Sequence, residues 1–382
     1  MTLYLELLII LLFTKLASDL SVRLGQPAVL GKLLIGIILG PAVLGWVESG
    51  ELIDELSEIG VLMLMFIAGL ETDLQELRRN LASSFAVALG GVIFPFAGGY
   101  LTGISIGFST SQAMFLGLLL SATSVSISVQ VLKDLNRLNS REGTTMLGAA
   151  VIDDVLVVVL LAVLLSMVGG ADVSLPAVLF KKALFFGGII LLGWKAVPWS
   201  MTMLAPLRAT EAVISAALII CFLFAYLAEY LGVAGMIGAF AAGIAISHTK
   251  YKHTVEERLE PIAYAIFVPV FFVSIGLSVT FEGVGSQLWL IVGLTVVSVI
   301  TKMVGGGLGA KLTGFSWTSA FGIGSGMISR GEVALIIAAI GLNSGLLNPS
   351  YFTPLLIVVI LTTLITPPLL KLAFGGSKPR EG

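Results

Sequence analysis

Residues 142–168 read EGTTMLGAAVIDDVLVVVLLAVLLSMV. A helix needs about 20 mostly apolar residues to cross a bilayer, and this stretch has them. A soluble helix would show a polar face, and this one shows none. Its only interruption at mid-length is a pair of acids, Asp153 and Asp154. Ionisable groups at that depth are costly and mark ion pathways or relays. The stretch therefore sets the class: an all-α integral membrane protein with a charged centre.

The rest of the chain agrees. Of 382 residues, 57% are hydrophobic and 12% charged, against about 25% charged in a soluble domain. Thirteen candidate membrane segments lie near 2–20, 27–47, 56–71, 83–107, 112–132, 142–168, 178–204, 209–231, 233–248, 260–280, 287–310, 315–342 and 352–374. Residues 1–20 have no basic leader and are interrupted by Glu6, Lys15 and Asp19, so they read as a retained helix rather than a signal peptide.

Lys and Arg collect on the cytoplasmic side of membrane proteins. With the N-terminus outside, the inner connections hold Arg23, Arg78, Arg79, Lys133, Arg137, Arg141, Arg208, Lys250, Lys252, Arg258, Lys311, Lys371, Lys378 and Arg380. The outer ones hold Glu48, Glu51, Asp54, Glu55 and Asp172, and only Lys181 and Lys182 break the rule. The C-terminus is thus expected inside.

Several function classes drop out. The net charge of −2 offers no basic patch for nucleic acid. One cysteine, Cys221, makes no internal disulfide and no zinc site. No Walker motif and no soluble nucleotide-binding domain is apparent, and the longest polar connection is Ser247–Pro261. Transport, if it occurs, is driven by an ion gradient. Residues 83–168 and 287–374 each hold three segments with a polar middle one. Six-segment halves about a seventh linking segment would then enter the membrane in opposite senses, which is the pattern of inverted repeats.

The chemistry concentrates in four segments. Adjacent residues on a helix point about 100° apart, so Asp153 and Asp154 cannot face one target equally. One can pair with a buried cation, for which Lys302 is available, while the other faces a water-filled cavity. A proton and cation site is one reading. A buried ion pair that only holds helices together is the other. The fifth segment carries Thr123, Ser124, Ser126 and Ser128 at its middle. The twelfth carries Gly322, Gly324, Gly326, Ser329 and Gly331 around Arg330 and Glu332. Both read as helices that open to offer carbonyls and half-helix ends to an ion, although glycine and serine also serve ordinary helix packing. Gly36 and Gly40 read as packing. His248 and His253 read as solvated loop residues, and Glu71 and Asp73 as a solvated cap.

PAVLGKLLIGIILGPAVLG (27–45), SATSVSISVQVLKDL (121–135), AAVIDDVLVVVLL (149–161) and SRGEVALII (329–337) occur in this order. Together they resemble the cation:proton antiporter-2 family, most of all its NapA-like sodium/proton antiporters. The resemblance implies a homodimer in which residues 83–168 and 287–374 form a six-helix core domain that moves as an elevator, two discontinuous helices crossing in it, and residues 1–82 and 178–280 supply the dimerisation, scaffold and linker helices. It implies electrogenic exchange of Na⁺ or Li⁺ for H⁺ in the bacterial cytoplasmic membrane, with no cofactor. Asp154 matches the ion-binding aspartate, Asp153 the first acid of the pair and Lys302 its partner. Thr123 and Ser124 match the unwound stretch, and Glu332 an acid that pairs within the core. Relatives that export K⁺ under ligand control carry a C-terminal nucleotide-binding domain, which does not follow here; K⁺/H⁺ exchange stays open. An intramembrane aspartyl protease needs two carboxylates converging from separate helices. A cation channel needs a filter of carbonyl or carboxylate rings. Neither pattern appears.

Overall fold

The computed structural model describes residues 3–24, 26–72, 74–168, 175–279 and 287–375. Asp73, Asp172, Lys378 and Arg380 lie outside them. The described residues are helical throughout, with no strand. In chain order the helices are α1 (Leu3–Arg23), α2 (Ala28–Leu39), α3 (Glu51–Glu71), α4 (Leu74–Arg79), α5 (Leu81–Ser105), α6 (Thr110–Ser121), α7 (Val125–Asp134), α8 (Arg141–Val168) and α9 (Leu175–Leu191). They continue as α10 (Val197–Leu204), α11 (Ala212–Tyr230), α12 (Gly235–Ser247), α13 (Lys252–Ile262), α14 (Val268–Leu277), α15 (Leu288–Leu312), α16 (Trp317–Gly326), α17 (Glu332–Asn343) and α18 (Phe352–Phe374). Each of the thirteen apolar segments falls on helix. Seven described stretches are by themselves long and apolar enough to cross a membrane, among them Leu81–Ser105, Thr110–Asp134 and Leu288–Leu312.

Two expectations change. Residues 252–262 are not a loop. They form α13, which runs through a π-helical turn at Ala263–Phe267 into α14. The charged run KHTVEERLE hides this helix from a hydropathy reading, because only Val255 and Leu259 of it are buried and its other residues are mostly polar. The π turn follows Pro261, whose missing N–H and ring disturb the helical ladder. His253 is accordingly an exposed helical residue, and His248 caps the end of α12. Nor is Glu71 a solvated cap, since it holds Lys133 at 2.5 Å.

The repeat is visible in the helix starts. Leu81 and Leu288, Thr110 and Trp317, and Val125 and Glu332 each lie 207 residues apart. The tripeptide Gly-Phe-Ser occurs at 107–109 and again at 314–316, in the same register. In both copies the glycine has positive φ, +87° and +90°, and the serine caps the following helix.

α5 and α15 pack against each other antiparallel: Ala86 meets Gly309, Gly90 meets Gly305 and Gly98 meets Thr301. A Cβ on Gly90 would lie 2.2 Å from the Gly305 carbonyl oxygen, and one on Gly305 equally close to that of Gly90. The backbones touch there because neither residue has a side chain. The two triplets, α5–α8 and α15–α18, pack into one bundle through this contact. α1–α3 and α11–α14 pack among themselves beside it.

Candidate ion site at the helix crossing

The fifth and twelfth segments both break at their middles. α6 ends at Ser121 and α7 begins at Val125, while α16 ends at Gly326 and α17 begins at Glu332. The breaks are stitched together: the Ser124 N–H donates to the Ser329 carbonyl at 2.8 Å, and the Ser329 hydroxyl donates to the Ser124 carbonyl. Gly331 permits this approach, since a Cβ there would stand 2.8 Å from Ser124 Oγ. Two helix C-termini and two N-termini therefore converge inside the bundle. Their carbonyls and N–H groups carry partial charges that need partners.

Two buried cations answer the C-termini. Arg330 is fully buried; its Nε donates to the Leu120 carbonyl at 3.2 Å and its Nη1 to that of Ile328 at 3.0 Å. Lys302, also fully buried, donates to the Ser121 carbonyl at 2.5 Å, the Gly91 carbonyl at 2.6 Å and Asp153 Oδ1 at 3.1 Å. An ammonium has three N–H donors, and all three are used.

Asp153 and Asp154 separate as their helical spacing requires. Asp153 is fully buried against Lys302. Asp154 is half-buried and lines a cleft with Val125, Leu147, Ala150 and Val151 on its own side and Met65, Met236, Ile237 and Phe240 across it. The cleft runs between the repeat bundle and the helices α3 and α12. Thr123 is buried at the break, and its hydroxyl stands beside the Asp153 carboxylate. Ser124 is buried beside it. Ser126 and Ser128 lie on α7, and the Ser128 hydroxyl donates to the Gly326 carbonyl at 2.5 Å. Glu332 opens α17; the pairing expected of its side chain falls outside the described side chains.

A model of the sodium/hydrogen exchanger transmembrane family matches residues 8–372. The chain belongs to this family. Among curated exchanger relatives, it is 63% identical to the Na⁺/H⁺-K⁺ antiporter GerN of Bacillus cereus over 98% of this chain and 96% of that one. It is 66% identical to the probable Na⁺/H⁺ antiporter GerT of the same organism, over 98% and 100%. The Na⁺/H⁺ antiporter of Enterococcus hirae is 48% identical over 96% of each. These relatives are transporters, not enzymes. Among solved exchangers, the sodium proton antiporter MjNhaP1 of Methanocaldococcus jannaschii superposes with a TM-score of 0.63 over 97% of this chain and 96% of that one. At 14% identity that likeness speaks for the fold alone.

Two charged features escaped the sequence reading. Lys133, the penultimate residue of α7, lies between Glu71 of α3 at 2.5 Å and Glu260 of α13 at 2.8 Å, over the Tyr264 ring at 4.8 Å. One end of α7 thus touches the site, and its other end is clamped to the flanking helices. No spacing in the sequence links positions 71, 133 and 260. Lys182, which breaks the charge rule, is buried and donates to the Gly232 carbonyl at the α11–α12 turn.

Proposed function

We propose that the chain exchanges Na⁺ (or Li⁺) for H⁺ across the bacterial cytoplasmic membrane, electrogenically, with Asp154 as the shared carrier. The observation that carries this reading is the split of the acid pair: one carboxylate neutralised inside the bundle, its neighbour opening on a cleft. A partly dehydrated cation and a proton compete for Asp154, and that competition suffices to couple them. Lys302 supplies the second proton. As an ammonium it satisfies three acceptors; as a neutral amine it has two N–H groups, so one acceptor must be released. Asp153 is the one that can then turn to the cation. Thr123 and Ser124 stand ready as supporting ligands. Glu332 and Arg330 balance charge at the crossing. Na⁺ and H⁺ are substrates, and no cofactor enters the cycle.

In this reading the repeat bundle, residues 83–168 and 287–374, is the moving core of a homodimer. Residues 1–82 and 178–280 supply scaffold and linker. Thirteen crossings put the N-terminus outside and the C-terminus in the cytoplasm. The cleft between bundle and scaffold is where elevator movement would expose Asp154 alternately to either side. K⁺/H⁺ exchange is a second reading, favoured by the name of the 63% identical relative.

The test is Asp154→Asn in sealed proteoliposomes, with Na⁺, Li⁺ and K⁺ offered separately. The variant should insert normally and lose both cation-driven proton release and its reverse. Substantial exchange surviving in the variant excludes Asp154 as the carrier, and the ion that drives the wild type fixes the substrate.

A further inference from the structure

Pro95 stands inside α5, buried, in a helix of 25 residues. In an α-helix the N–H of residue i donates to the carbonyl of residue i−4, so a proline leaves the carbonyl four residues back without its donor. Four residues back is Gly91. Its carbonyl oxygen is the one that accepts the Lys302 ammonium at 2.6 Å. Gly91 has no side chain to screen that oxygen, and a Cβ there would already contact Lys302 Nζ at 3.6 Å. Lys302 and Pro95 are 207 residues apart, so they occupy the same position in the two repeats. Across the antiparallel α5–α15 contact, one copy lacks a backbone donor where the other presents a charged one.

We infer that Pro95 is a positioning residue for the proton on Lys302: by withholding its N–H it dedicates the Gly91 carbonyl to the ammonium. The other two acceptors are a helix C-terminal carbonyl, Ser121, and a carboxylate, Asp153, which the cation is to claim. The Gly91 carbonyl, together with that of Ser121, remains when Asp153 leaves. It therefore holds Lys302 in place through the step in which the partner changes. A backbone N–H at position 95 would compete for the same oxygen and weaken the charged form of Lys302 relative to the neutral one. This inference rests on Lys302 as a proton carrier in the exchange cycle.

The experiment measures Na⁺-driven proton exchange against pH in proteoliposomes. Pro95→Ala restores the N–H. It should move the pH of half-maximal exchange down by about one unit, a tenfold loss of apparent proton affinity, which is the scale of one charged hydrogen bond. Replacing Pro95 by lactic acid through nonsense suppression puts an ester at that position. The ester has no N–H and no ring, so it should return the profile to that of the wild type. In a Lys302→Gln background Pro95→Ala should leave the profile where it was. An unshifted Pro95→Ala overturns the inference, as does an ester that behaves like alanine or a shift that persists without Lys302. If Pro95→Ala does not fold, the ester against Pro95→Gly makes the same comparison. Asp154→Asn is run alongside: exchange surviving there sinks the proposed function, whereas its loss with an unshifted Pro95→Ala sinks only the role of the proline.

Discussion

At the scale of single residues, the Asp153–Lys302 pair sets two ionisable groups deep inside the bundle. Both side chains have no solvent exposure, and their contact is 3.1 Å. Removing one partner strands the other in a low-dielectric site at a cost of about 3–5 kcal/mol. Asp153→Asn and Lys302→Gln should each lower the unfolding midpoint in detergent. The double variant should recover most of the loss, because it leaves neither charge alone. It should still exchange through Asp154, but with one proton per cation and no response to a potential set by valinomycin. A double variant that remains potential-sensitive moves the second proton elsewhere and leaves Lys302 a brace. Circular dichroism on heating and exchange in sealed vesicles check the two halves of this prediction.

At the scale of elements, the crossing depends on Gly331. Gly331→Ala places a Cβ 2.8 Å from Ser124 Oγ and 2.9 Å from its Cβ. The overlap should push the breaks apart, cost about 1–3 kcal/mol, and speed hydrogen exchange at Ser124, whose N–H is held by Ser329. Unchanged protection there would show that the crossing accommodates a methyl group. The breaks themselves were legible in the sequence, because Thr123-Ser124 and the run from Gly322 to Gly331 lower helix propensity in otherwise apolar segments. The repeat was legible only as hydropathy. A three-residue match such as Gly-Phe-Ser carries no weight until helix starts fix the register at 207 residues. α13 was missed because amphipathic charge and loop charge look alike to a hydropathy window. The Lys133 clamp was missed because its three members come from three distant helices, and long-range pairing leaves no local spacing to read.

At the scale of the whole molecule, the Lys133 clamp joins the repeat bundle to the helices beside it. Lys133 is mostly shielded, with 18% of its side chain exposed, and it ties α7 to both α3 and α13. Freeing it should favour opening toward the cytoplasm. With Cys221 replaced by alanine, a cysteine at Ala150 should react with a membrane-impermeant maleimide from the inner side about fivefold faster when Lys133→Gln is added. Lys133→Arg should keep the slower rate. Equal rates in all three proteins would mean that the clamp does not govern access. Orientation has its own check: a reporter at Gly50 should read as external and one after Lys378 as cytoplasmic. Time enters through the wide sequence separation of the buried pair. Asp153 and Lys302 are 149 residues apart. At a synthesis rate of about 5–20 residues per second, the lysine leaves the ribosome on the order of 10 s after the aspartate. Throughout that interval α8 holds an acid in lipid with its amine still unmade. The nascent helix must meanwhile keep the carboxyl protonated, wait in the insertion machinery, or stay near water. The order of translation thus makes roughly the first four-fifths of this chain, up to Lys302 of 382 residues, an obligate intermediate that a membrane protease can find.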